Sequence, residues 1–171
     1  MDMSTGGYLN NKFERPFSPH HALHLTMRTP FACLRSPSML KWLSAFIPEK
    51  ARGFRIRLFH FAIVNNHLHL LILAPDRRAL TGFLRVVTGV IARKALGAER
   101  GRKQNQKMWV SRPYSRVLSW GREFTNVLKY IERNVLEAMG RISYVARDRR
   151  LDDLVKRRID LSLTPQLTLR I

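Results

Sequence analysis

The chain has 171 residues, which fits one domain with tails. It carries 31 Lys and Arg against 12 Asp and Glu, a net charge of +19 with a pI near 11.5, and so attracts polyanions: nucleic acid first, an anionic membrane surface second. An apolar run of the roughly 18 residues needed to span a bilayer is absent, the opening MDMSTGGYLNNKFERP lacks a secretory h-region, and Cys33, as the single cysteine, excludes an internal disulfide; a bacterial-type cytoplasm suits all three features.

Residues 1–19 are polar and hold Gly6, Gly7, Asn10, Asn11 and Pro16, and read as a loose arm. The run from His21 to Thr29 alternates as a strand does, and Pro30 ends it. Met39, Leu40, Trp42, Leu43 and Phe46 predict a helix over about 36–51, broken near Pro48. The stretch from Arg55 to Val64 is rich in β-branched and aromatic residues, and His67 to Ala74 is again strand-like. Asn65 and Asn66 lie between them and tolerate positive φ, which predicts a tight two-residue hairpin turn. Pro75-Asp76 stops the second strand, with Asp76 able to cap a helix over 77–96 whose stripe is Leu80, Phe83, Leu84, Val87 and Ile91. After a basic loop, Gly97 to Lys107, the segment from Lys107 to Ser119 reads as an edge or bulged strand because it contains Pro113. Phe124, Val127, Leu128, Ile131 and Val135 form the apolar face of a last helix over 122–139, which Gly140 can cap. The tail, 141–171, is basic and has room for one more helix. The order β-α-β-β-α-β-α predicts an α+β, ferredoxin-like βαββαβ domain over 20–140, an antiparallel four-stranded sheet with two helices on one face, followed by the C-terminal helix.

Two pairs of residues carry chemistry. His67 and His69 stand at i and i+2 of a strand, so their imidazoles share one side of the sheet while Leu68, Leu70 and Ile72 point to the other. Two neutral imidazoles side by side can bind a divalent cation. Tyr130 and Asn134 stand at i and i+4 of the last helix, flanking its apolar stripe. An amide oxygen with two imidazoles suits Mg²⁺ or Mn²⁺, and no thiolate is present for a closed zinc site. His20, His21, His24 and His60 read as structural or phosphate-proximal residues, with His21 and His24 able to approach one sheet face.

The stretch NNHLHLLI resembles the His-hydrophobic-His motif of HUH endonucleases. The stretch WVSRPYSRVLSWGREFTNVLKYIERN is similar to the region ending in the catalytic tyrosine of single-tyrosine transposases, and is closest to the REP-associated tyrosine transposases. The resemblance runs from about His21 to Gly140. It implies a ferredoxin-like fold and metal-dependent cleavage of single-stranded or hairpin DNA, by a monomer or a homodimer. Tyr130 matches the nucleophile, His67 and His69 the histidine ligands, and Asn134 a third ligand from the same helix. Relatives commonly read Asn-Pro where this chain has Asn134-Val135, so the helix end is expected to differ.

Basic residues interleaved with aromatics suit phosphate contact with base stacking. Arg100, Arg102, Lys103 and Lys107 fill one loop, and Arg112, Arg116 and Arg122 flank Trp109, Tyr114 and Trp120. Trp109 and Trp120 fit core packing equally well. The competing reading is a non-catalytic nucleic-acid-binding module on the same sheet, although the central strands carry histidines in place of stacking aromatics.

Overall fold

Alternation along the first strand sends Leu23, Leu25 and Met27 to one side and His24 and Thr26 to the other, and this division runs through the whole sheet. The computed structural model describes residues 15–97 and 106–143. Within them lie β1 (Ala22–Arg28), α1 (Pro37–Gly53), β2 (Arg57–Val64), β3 (His67–Leu73), α2 (Arg77–Leu96), β4 (Tyr114–Leu118) and α3 (Arg122–Ala138). Every pairing is antiparallel, in the order β2-β3-β1-β4, which is the expected ferredoxin-like sheet with β4 at an edge. Most of the loose arm, Arg100, Arg102, Lys103 and the tail helix fall outside the described residues.

The larger core lies on the leucine side. Leu23, Leu25, Leu68, Leu70 and Ile72 pack there against Leu43 and Ile47 of α1 and Phe83, Val87 and Ile91 of α2. The opposite side carries a smaller core, where Ala22, Ala62, Leu71 and Leu118 meet Ile131 and the stripe Phe124, Val127, Leu128 and Val135 of α3. The third helix therefore covers the histidine side of the sheet.

Three details depart from the sequence-based expectations. α1 runs through Pro48, because Phe46 and Ile47 before it and Ala51 after it are anchored in the core, which outweighs the one backbone bond proline forfeits. The Asn65-Asn66 turn joins Val64 to its partner His67 without positive φ, and its two carbonyls accept from Leu34 N and Thr29 N at 3.1 and 2.9 Å. The strand expected from Lys107 begins only at Tyr114: Met108 is drawn into the core, Val110 N bonds Arg28 O, and Pro113 has no N–H to extend the ladder. As expected, α3 runs to Ala138, with Val135 packed on the smaller core and Gly140 following in left-handed geometry. Asp76 caps α2 as expected, its carboxylate accepting from Ala79 N at 2.7 Å.

Candidate active site

Strand register decides which side chains meet. Thr26 is opposite His69, Arg28 is opposite His67, and Arg116 is opposite His24, so β1, β3 and β4 all point these groups at α3. The rings of His67 and His69 lie 4.7 Å apart at 89°. α3 crosses above them and brings the Tyr130 ring to 5.6 Å from that of His69. Tyr130 and the two histidines thus stand on the same side of the sheet within one chain.

His24, read from sequence as structural or phosphate-proximal, belongs to this cluster. Its ring stacks on His69 at 5.3 Å and meets Tyr130 edge-on at 6.1 Å. His24 Nε2 lies 3.1 Å from His69 Nδ1, and Thr26 Oγ1 lies 3.2 Å from the same nitrogen. Burial, reinforced by the positive charge of Arg116, pushes the His24 pKa down to about 4, so the ring is neutral at neutral pH. His21, expected as a possible neighbour, instead places Nδ1 2.8 Å from Ser18 Oγ.

Asn134 is more deeply buried than its position at the flank of the stripe suggested. Its Nδ2 donates to the main-chain carbonyl of Tyr130 at 2.9 Å, which makes Oδ1 the atom it would offer a cation. His67 Nδ1 donates to Asn66 Oδ1 at 2.8 Å, so its lone pair sits on Nε2. No group of three or more His, Cys, Asp or Glu side chains among the described residues is arranged to hold a metal. By donor chemistry alone, two imidazoles and an amide oxygen would suit Mg²⁺ or Mn²⁺ with phosphate and water oxygens completing the shell; of the three residues, His69 is the one that lines the cleft between α3 and β4.

α3 leaves part of the sheet uncovered. Between it and β4 lies a cleft of about 500 Å³, floored by His24, Thr26 and His69 and walled by Tyr114 and Tyr130. Arg28 and Arg116 are its charged lining residues, which favours an anion. Arg116 also pairs with Glu123, whose second oxygen accepts from Ser119 N at 2.8 Å.

The chain matches the family described as IS200-like transposase over residues 20–134. It belongs to that family. The fold of this transposase is similar to that of a solved REP-associated tyrosine transposase bound to a REP hairpin, with a TM-score of 0.58, 13% identity, and 74% of this chain and 73% of that one covered. A candidate transposase from Deinococcus radiodurans R1 is matched with a TM-score of 0.47 and 19% identity, covering 72% of this chain and 97% of that one. No protein of curated function matches in sequence.

The basic and aromatic residues singled out from sequence divide in this transposase. Lys107, Arg112 and Arg122 are exposed, and Arg116 reaches the cleft. Trp109 packs against the larger core and its Nε1 donates to Thr88 O at 3.0 Å, so it serves the fold. His24 and Thr26 were missed because neither forms a motif along the chain; only the pairing of β1 with β3 places them beside His69.

Proposed function

We propose that this transposase is a metal-dependent single-stranded DNA endonuclease and strand transferase acting through a 5′-phosphotyrosine at Tyr130. The observation that carries the reading is the approach of Tyr130 to His69, 5.6 Å between ring centroids, beside an open cleft flanked by arginines. The Tyr130 oxygen attacks a backbone phosphorus, forming a Tyr–O–P bond. The P–O3′ bond breaks, and the departing oxygen becomes a free 3′-OH as it gains a proton. Since the phosphotyrosine keeps a phosphodiester, another strand's 3′-OH can attack it, restore the DNA linkage and release the phenol.

His67, His69 and Asn134 would hold the cation. When bound it supplies positive charge to a non-bridging phosphate oxygen and helps set the phosphate in line. His24 and Thr26 fix the His69 ring. Arg28 and Arg116 attract the DNA backbone. Burial within a ring cluster positions the phenol. The approach of Tyr130 to His69 within one chain supports cleavage by a monomer.

The substrate proposed is hairpin-forming DNA with an unpaired segment, the class to which the REP hairpin held by the structural relative belongs. The test is incubation of a labelled hairpin oligonucleotide with Mn²⁺ or Mg²⁺, followed by denaturing electrophoresis. A covalent protein–DNA band is expected, absent with EDTA and absent in Tyr130→Phe, which still binds. Cleavage that survives Tyr130→Phe excludes it as nucleophile. Binding without any adduct returns the chain to a non-catalytic module.

A further inference from the structure

β4 leads out of the cleft toward a second aromatic surface. Tyr114, Arg116 and Leu118 alternate onto the α3 side of the sheet, and Trp120 follows them. At ~3.3 Å per residue, the end of β4 at Leu118 lies roughly 7 Å from Arg116, and Trp120 follows two residues later in the turn before α3, a separation a few nucleotides can bridge. Three contacts fix its indole. Its Nε1 donates to His20 O at 2.7 Å. Phe59 of β2 meets it at 5.7 Å and 77°, and Phe124 at the start of α3 meets it at 5.2 Å and 44°. Neither ring lies parallel to the indole, and Trp120 remains 47% exposed. A tryptophan serving only the core would be covered, as Trp109 largely is.

The surroundings are cationic. The Arg57 guanidinium sits 4.9 Å from the Phe59 ring centroid, and Arg122 is exposed two residues beyond Trp120. A flat, rigid, half-open aromatic flanked by arginines suits a nucleobase stacked on its face with its phosphates neutralised at the side. We propose that Trp120 is a stacking platform for an unpaired base of the same DNA strand that enters the cleft. The inference rests on the reading of the cleft as a DNA site. It adds a second anchor, which sets how far from the scissile phosphate the strand is gripped. Because its hydrogen bond and ring contacts already hold the indole, stacking requires little further ordering.

The test uses the full chain carrying Tyr130→Phe, so no cleavage is needed, and hairpin oligonucleotides with single-stranded overhangs bearing 2-aminopurine at successive positions. Quenching on binding is expected at one overhang position. Trp120→Leu should abolish that quenching and weaken the overhang oligonucleotide by roughly 5- to 150-fold, the range that loss of one base stack produces. Affinity for a blunt hairpin should be unchanged, and Trp120→Tyr should restore the quenching. Equal weakening toward the blunt hairpin, or binding without quenching at any position, overturns the platform. Failure of the Tyr130-containing protein to form an adduct while quenching persists removes the nucleophile and leaves the platform standing.

Discussion

His24 shows how a side chain without a motif can govern one that has a motif. Its neutral ring, held at a pKa of about 4 by burial and by Arg116, can accept a hydrogen bond from His69 Nδ1 across 3.1 Å. That bond would keep the His69 lone pair on Nε2, the nitrogen offered to a cation. His24→Ala is therefore expected to raise the Mn²⁺ concentration needed for half-maximal binding by about 10–100-fold, the usual consequence of losing a partner of a ligating histidine. Mn²⁺ titration by electron paramagnetic resonance reads this without catalysis. His24→Asn, which keeps an acceptor, should recover much of the affinity; a loss equal to that of His24→Ala would mean that the ring fills space rather than orients His69. That His67 and His69 share one strand and Tyr130 and Asn134 one helix was legible because each pair depends on a local period, two in the strand and four in the helix. His24 was not, because its role depends on which strand lies beside β3, and the burial of Trp109 likewise depends on α2.

At the scale of elements, function hangs on how α3 docks. Its stripe was visible in the sequence, but a stripe identifies which side of a helix is buried and not the sheet face that receives it. The smaller core under α3 centres on Ile131, which is fully buried against Ala22, Ala62, Leu71 and Leu118. Ile131→Ala should cost about 2–5 kcal/mol, the range for truncating a buried isoleucine. The loss should fall mainly on α3 because the larger core lies across the sheet. Amide hydrogen exchange is expected to accelerate in α3 far more than in β3, and adduct formation should fall with it. Uniform acceleration across both elements would show that α3 and the sheet open as one unit. Gly121 controls the same docking from the backbone, at φ 90° and ψ −122° immediately before α3. A Cβ there would meet nothing within 4 Å, so Gly121→Ala is a pure test of conformation. It should cost about 1–3 kcal/mol, read as a lower denaturation midpoint, and an unchanged midpoint would show that the turn relaxes freely. The limits of β4 and the continuity of α1 were hidden for a related reason. Capture of Met108 by the core shortens the strand, and core contacts on both sides of Pro48 carry the helix through it.

Across the whole molecule the dominant quantity is charge, +19 over 171 residues. Such a chain should bind single-stranded DNA with an affinity that falls linearly in log–log terms with salt, at a slope of about −0.7 for each phosphate neutralised. The exposed arginines are not equivalent in this respect. Arg112 is exposed just before β4, and burial first, then the charge of Arg112, depresses the pKa of Arg15, so two arginines share this part of the surface and a phosphate would interact favourably with them. Arg116, by contrast, shares its charge with Glu123, and Glu123 is held in turn by Ser119 N. A phosphate approaching Arg116 must compete with that carboxylate. Arg112→Ser is therefore expected to weaken binding to all sequences alike and make the salt slope shallower by about 0.7, one phosphate's worth. Arg116→Ser should change the slope less, since an arginine that stays paired with Glu123 neutralises no phosphate of its own. Fluorescence anisotropy from low to physiological salt separates the two. Equal slope changes would mean that DNA displaces Glu123 from Arg116 completely, making that pair a contact exchanged on binding rather than a fixed part of the cleft wall.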